Sequence, residues 1–401
     1  MTRSPTASPS VAVLSARLRE RALRCLPGGS TRTTLAIEPP APYAASGRGC
    51  FVEDVDGRTL IDLQNNYTSL VHGHAHPAIT EAAVSALRAG ASFGLPTALE
   101  VELAEAITSR VPAVDQVRFA NSGTEAVMMA LRAARAFTGR DKVLRFAGSY
   151  HGSSDVVLPD SSPGLPAALA SVALTAPADD PDSALALIES HAANLAAVLI
   201  DLMPNRAGLV PVDHEIAHAL ATRARDAGAL VVVDEVITFR LAVEGLALGY
   251  GITPDLIVLG KTIGGGLPIG AFGGRRDVMQ VFVGDPASRV AHGGTFTANP
   301  VTMAAGIAAL ANLDPEAIAH LNRLGDRLRA ELRGLGFRVT GRGSLLRVWP
   351  NDADHAGLWW RLYEQGVLIA GNGLACTSTP MTDAIVGDAV TRFAQAGASR
   401  A

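Results

Sequence analysis

The sequence predicts an α/β protein, a mostly parallel sheet with helices on both faces followed by a smaller α+β domain. Three observations predict it. From Gln116 to Leu259, short apolar runs bounded by turn residues alternate with helix-length segments, the pattern of parallel strands joined by crossover helices. Ser122, Tyr150, Asp201, Asp234 and Lys261 each follow one of those runs, and ligands of open α/β sheets bind beyond the strand ends. After residue 313 the chain alternates helices with short strands around Gly371-Asn372-Gly373.

The 401 residues suffice for a sizeable core and two domains; 48% hydrophobic and 18% charged residues describe a compact chain. A formal charge of −4 gives no electrostatic case for nucleic acid or an anionic membrane as partner. Cys25, Cys50 and Cys376 are far apart and odd in number, so neither a disulfide framework nor zinc spacing is present, and a reducing cytoplasm is the expected location. The apolar patch Val11–Leu14 is too short for a signal sequence, and no apolar run reaches membrane-spanning length.

Taken in order, residues 1–10 are rich in Ser, Thr and Pro and read as a mobile lead-in. Val11 to Leu26 reads as an amphipathic helix stopped by Pro27-Gly28-Gly29. Arg32 follows among hydroxyls; arginine is a natural fork for a carboxylate, although a lone arginine after a turn is more often solvated. Phe51 to Leu63 reads as a hairpin turned at Asp56-Gly57. His72, His74 and His76 alternate and could converge on a metal, but the adjoining glycine and proline favour a turn with hydrogen-bonded histidines. Pro77 to Gly90 is a helix by its proline start and glycine end.

Gln116–Ala120 is a strand running into Asn121-Ser122-Gly123-Thr124-Glu125, where Ser122 and Glu125 have capping-box spacing and the helix closes at Gly139. Free N–H groups, two hydroxyls and the positive helix end make an anion site there; a merely well-capped helix reads equally well. Lys142–Phe146 is the next strand, leading to Tyr150 and His151 in a glycine-flanked loop. Residues 156–194 read as a variable loop and helix. Ala196–Ile200 is a strand ending at Asp201, Glu215–Ala227 a helix capped by Gly228, and Ala229–Val233 a buried strand ending on Asp234-Glu235. That carboxylate pair suits either magnesium or a division of labour, with one buried acid pairing a cationic ring nitrogen and one solvated acid. Leu256–Leu259 is a buried strand that exits at Lys261, followed by glycines. A P-loop would place glycines before the lysine, so that reading fails. A desolvated amine with a lowered pKa can instead hold an aldehyde cofactor as a Schiff base; the bland alternative is a surface lysine in a flexible loop. A hydroxyl-bearing loop, Ala291–Pro300, and a helix from Val301 to about Leu313 complete this part.

In combination, Asn121-Ser-Gly-Thr-Glu-Ala126, Tyr150-His-Gly152, Asp234-Glu-Val236, Leu259-Gly-Lys-Thr-Ile-Gly-Gly-Gly266 and Gly294-Thr295 resemble the class III (ω-type) aminotransferases. These are pyridoxal-phosphate enzymes of fold-type I, and the resemblance runs from about Pro27 to Gly306 and more weakly beyond. It implies that Lys261 carries the cofactor and then moves the proton, and that Asp234 pairs the pyridinium nitrogen. Ser122, Gly123 and Thr124 would bind the phosphate, Tyr150 and Val236 would pack the two ring faces, and His151 would belong to the cofactor site. The residue matching Thr295 reaches the partner subunit's phosphate, which implies a homodimer with shared active sites and no metal. It also implies an N-terminal segment over residues 1–65 packing with the small domain, a cofactor-binding large domain over 66–300, and a linking helix with the small domain over 301–401.

Within the family the chain resembles the branch of glutamate-1-semialdehyde aminomutases and β-amino-acid aminotransferases. Aminomutases carry Ser-Pro-Val-Arg where this chain has Ser30-Thr-Arg32-Thr, and Asp-Glu-Val-x-Thr-Gly-Phe-Arg where it has Asp234-Glu-Val-Ile-Thr-Phe239-Arg240, one glycine shorter. Both changes, with Ala291–Phe296 and Gly373–Pro380, are more similar to the β-amino-acid aminotransferases, in which the match to Arg32 is a carboxylate-binding candidate. Two departures stand out: the family's usual Glu-Pro is Asp201-Leu202, and the region after Trp349 is short. The implied activity is ping-pong transfer between a carboxylate-bearing amino acid, a β-amino acid by these motifs, and a keto acid. The alternatives are a 2,1-aminomutase, or racemisation, elimination or decarboxylation on the same cofactor. A non-enzymatic scaffold would have no need of Lys261, Asp234 and Ser122-Gly-Thr together.

Overall fold

The computed structural model describes residues 13–350 and 353–398; the lead-in at residues 1–10 and the first two residues of the helix expected from Val11 lie outside the described residues. The strands are β1 (Ala44–Arg48), β2 (Phe51–Asp54), β3 (Thr59–Asp62), β4 (Gln116–Ala120), β5 (Lys142–Phe146), β6 (Ala173–Ala176), β7 (Leu195–Ile200), β8 (Leu230–Asp234), β9 (Leu256–Gly260), β10 (Gly270–Gly274), β11 (Arg338–Arg342), β12 (Leu345–Trp349), β13 (Val367–Leu368) and β14 (Leu374–Cys376). They form a seven-stranded sheet ordered β4-β10-β9-β8-β7-β5-β6, a four-stranded sheet β1-β2-β3-β13 and a three-stranded sheet β11-β12-β14.

The large sheet is parallel except at β10, which runs antiparallel to both β4 and β9. Its central strands alternate their side chains between two apolar layers. Val231 and Val233 pack with Leu220 and Ala221 of the helix His214–Asp226, while Val232 and Val258 face Val127 and Leu131 of the helix Gly123–Thr138. Fully burying each such Val or Leu contributes roughly 1.5–3 kcal/mol, which is why these strands read as continuous apolar runs. The helix Gly123–Thr138 starts on Ser122, whose Oγ accepts the Glu125 N–H, and stops at Gly139 in the left-handed conformation. The Glu125 carboxylate reaches back to the N–H of Asn121 at 2.8 Å, one residue earlier than a standard capping box, so it braces the turn leaving β4.

Two strands of the large sheet escape the sequence reading. β6, inside the stretch read as loop and helix, pairs with β5 at the sheet edge; its Ala-Leu-Thr-Ala is short and has one β-branched residue, a weak strand signal. β10 reads Gly-Ala-Phe-Gly-Gly, a composition that argues against a strand. Its glycines are there for clearance: a Cβ on Gly270 would lie 2.0 Å from the Ser122 carbonyl oxygen, and one on Gly274 would lie 2.1 Å from that of Asp255.

The hairpin expected at Asp56-Gly57 forms. The Asp54 carboxylate accepts the N–H groups of Asp56 and Arg58 at 2.9 Å each, and Gly57 takes a positive φ. β3 then pairs in parallel with β13, and Leu60, Ile61 and Leu63 share a core with Leu328, Leu362 and Phe393. Among the described residues no helix is long and apolar enough to cross a membrane.

Candidate active site

The C-terminal edges of β4, β5, β7, β8 and β9 surround a cavity of about 330 Å³ lined by Ser122, Gly123, Thr124, Tyr150, His151, Asp201, Asp234, Val236 and Lys261. Strand direction explains the convergence: parallel strands end on one side of the sheet, and whatever follows each of them is delivered to the same edge. Because β10 is reversed, its first residue, Gly270, stands at that edge too, paired with Ala120 and Gly260.

Lys261 leaves β9 with φ 47°, a left-handed conformation that costs a non-glycine residue of order 1–3 kcal/mol and persists where the surroundings impose it. Burial pulls its ammonium pKa below the ordinary lysine range, with Asp234 and Asp201 opposing that shift. Asp234 is buried; one carboxylate oxygen lies 2.7 Å from His151 Nδ1, and the other accepts the Val236 N–H at 3.0 Å. The acid is thus held by two partners while lining the cavity. His151 is buried as well, and its Nε2 has no hydrogen-bond partner among the described residues. Asp201 accepts the Met203 N–H at 3.0 Å, and burial pushes its carboxyl up to about 6.

Glu235 does something different from its neighbour. It is completely buried, accepting the Thr238 hydroxyl and the Ala247 N–H at 2.7 Å each, and burial raises its pKa. The solvated acid of the sequence reading is therefore a structural, interior one, and the two carboxylates serve separate places. The alternating histidines also diverge. His72 Nε2 meets the Ala309 carbonyl at 2.9 Å, and His74 Nε2 meets Asp62 at 2.7 Å.

The anion cradle at the start of the helix Gly123–Thr138 is compact. A Cβ on Gly152 would lie 2.3 Å from Thr124 Oγ1, and one on Gly123 would touch Val236 at 3.3 Å. The first-turn N–H groups of Gly123 and Thr124 have no carbonyl within the helix to bond, and Ser122 Oγ, though accepting from Glu125, keeps its own proton to donate. Tyr150 is partly exposed at the cavity, with the Arg206 guanidinium 4.6 Å from its ring centroid.

Two of the residues singled out in the sequence do not line this cavity. Thr295 is exposed on its loop. Arg32 is exposed too, but its Nη1 donates at 2.8 Å to Oδ1 of Asn66, which lines the cavity. Asn66 and Ser69 are wall residues that sequence reasoning missed. Asn65-Asn66 is a pair that tolerates left-handed backbone, and that was the one available signal.

Buried acid, desolvated lysine, anion cradle, orphaned His151 Nε2 and glycine-walled clearance fit a flat, phosphorylated, aldehyde-bearing cofactor with a basic ring nitrogen. Residues 38–382 match the sequence model of the family described as aminotransferase class-III. The glutamate-1-semialdehyde 2,1-aminomutase of Methanothermobacter thermautotrophicus is 41% identical over 352 residues, covering 84% of this chain and 83% of its own. A solved structure described as a transaminase with PLP bound is 40% identical with a TM-score of 0.94 and 98% of both chains covered. The β-phenylalanine aminotransferase of Variovorax paradoxus is 37% identical with a TM-score of 0.88, covering 94% of this chain and 92% of its own.

Proposed function

The chain belongs to the class-III aminotransferases, enzymes of pyridoxal phosphate, and from that premise we propose that its amino donor is a β-amino acid and its acceptor a keto acid. The observation that carries the substrate reading is the Arg32 guanidinium hung on Asn66 at the cavity mouth. A β-amino acid sets its carboxylate one carbon farther from the reacting carbon than an α-amino acid does, and a cation at the mouth suits that longer reach.

Pyridoxal phosphate supplies an aldehyde that takes up the amino group and a ring that disperses the charge left when the carbon loses its proton. The chain supplies the rest. Lys261, whose ammonium pKa burial pulls below the ordinary lysine range, would hold the cofactor and, once freed by the substrate amine, would take the proton from the carbon bearing nitrogen and return it. Asp234, aimed by His151 and the Val236 N–H, would hold the ring nitrogen in its cationic form. Ser122, Gly123 and Thr124 would hold the phosphate, and Tyr150 and Val236 would pack against the ring.

The same reading makes the enzyme a cytoplasmic homodimer. The exposed Phe93, Leu95, Val101 and Phe296 suit burial against a second copy, which would bring the neighbouring Thr295 to the partner's cofactor phosphate. All three cysteines are free thiols, Cys25 exposed, in keeping with a reducing compartment. The division into 1–65, 66–300 and 301–401 is supported by the pairing of β3 with β13.

The test is an absorbance titration of the holoenzyme with β-phenylalanine and no keto acid. The visible band of the lysine-bound cofactor should give way to the shorter-wavelength amine form, with one keto product released per site. A band that stays in place sinks the β-amino-acid reading. A second reading, a 2,1-aminomutase, is favoured by the 41% identical relative of that name; turnover of glutamate 1-semialdehyde with no added keto acid would establish it instead.

A further inference from the structure

We propose that Asn66 is a positioning residue for substrate, gripping Arg32 from the cavity wall and so fixing the cation that receives the substrate carboxylate. The inference rests on the reading of Arg32 as carboxylate receptor and adds the device that aims it.

That device is a turn of the rare hand. Asn65, Asn66, Tyr67 and Thr68 follow one another with φ of 46°, 45°, 56° and 75°. Left-handed backbone is disfavoured for a non-glycine residue, so four in a row persist only where neighbours over-determine them. The neighbours do. The Asp62 carboxylate accepts the N–H groups of Gln64 and Asn65 at 2.8 and 2.9 Å. The Asn65 amide donates to the carbonyls of Asp62 and Cys376, both at 3.1 Å. Tyr67 Oη donates to the Thr34 carbonyl at 2.6 Å. Arg240, wholly buried, donates Nη1 to the Thr68 carbonyl at 3.0 Å, Nε to Ser344 Oγ at 3.0 Å and Nη2 to the Thr377 carbonyl. No carboxylate pairs with that guanidinium among the described residues, and a buried cation is retained on neutral acceptors alone only at some cost.

What this scaffold delivers is one side chain. Asn66 lines the cavity, its carbonyl accepts the Ser69 hydroxyl at 2.9 Å, and its Oδ1 takes a single N–H of Arg32. A guanidinium carries five N–H groups in a rigid fork, so a carboxylate can still be met by the rest. The Arg32 guanidinium also lies over the Tyr67 ring, 5.8 Å from its centroid, and the Asn66 tether fixes which way its fork faces, so rotamer freedom that an exposed side chain would lose on binding is given up beforehand.

The experiment is a calorimetric titration of the holoenzyme with 3-phenylpropanoate, a carboxylate that has no amine to react. Asn66→Ala should weaken binding about tenfold, the size of one hydrogen bond to a charged group. Asn66→Asp, whose carboxylate neutralises Arg32, should weaken it further. In an Arg32→Ala background the Asn66→Ala effect should shrink to less than about twofold, the signature of one residue acting through the other. Unchanged binding in Asn66→Ala, or the same loss in both backgrounds, overturns the proposal, as does a wild-type holoenzyme that does not bind the probe. The substrate reading is judged separately by the β-phenylalanine titration, so coupling without that reaction would retire the β-amino acid and keep the Asn66–Arg32 device.

Discussion

The floor and the rim of the cavity are built by different physics. On the floor, Ser122, Tyr150, Asp201, Asp234 and Lys261 follow parallel strands of one sheet, and the topology alone brings them together. At the rim, Asn66 and Arg32 are brought together by a strained turn held through single hydrogen bonds, several of them to distant segments of chain. The floor is a generic consequence of the fold and suits chemistry common to a whole family. The rim depends on individual contacts and can be rewired without disturbing the sheet, which is where selectivity between substrates can change.

The largest expected effect lies on the floor. Lys261→Ala should lower turnover about 10⁴-fold or more, the upper end of what a positioned proton-transfer group contributes, and abolish the visible cofactor band. Steady-state assay with the spectrum checks it, and turnover within tenfold of wild type would break the assignment of the floor. A smaller effect is expected behind the rim. Arg240→Met leaves the Thr68 and Thr377 carbonyls without their donor and should lower the unfolding free energy by about 2 kcal/mol, with substrate KM rising before kcat falls. Urea melts and kinetics test this; equal loss of cofactor affinity would mean that floor and rim are one unit. The smallest effect concerns Asp201. Burial raises its pKa from 3.8 to about 6, so folding favours the protonated form. Its contribution is complete below about 3.8 and is lost as pH rises through about 6. In the cofactor-free protein, wild type should lose stability relative to Asp201→Asn across that window, and parallel pH profiles of the two would place Asp201 in a wetter setting than the floor implies.

The same contrast governs what could be read in advance. Lys261, Asp234 and the Ser122 turn were legible because each strand announces itself locally and the functional residue stands at its end or within two residues of it. The family resemblance supplied their roles. Asn66 was not legible: its partner Arg32 lies 34 residues off, and the Cys376 carbonyl that holds Asn65 lies 311 residues off. Arg240 gave no hint of complete burial, since nothing local distinguishes an interior arginine from a solvated one. The adjacent pair Asp234-Glu235 illustrates the limit well, because which acid faces the cavity depends on Thr238 and Ala247 folding over the other. β10 was hidden for the opposite reason, its glycines being the residues that usually mark a loop.

That glycine strand has a consequence for anyone mapping this enzyme by saturation mutagenesis. Adding one carbon at Gly270 drives into the Ser122 carbonyl, and adding one at Gly273 or Gly274 drives into the carbonyl of Gln116 or Asp255. Variants at these three positions will score alongside Lys261 as inactive, yet none of them has a side chain that could do chemistry. A ranking by lost activity would therefore draw the catalytic centre about a strand's length too wide, and only a companion ranking by abundance would shrink it back.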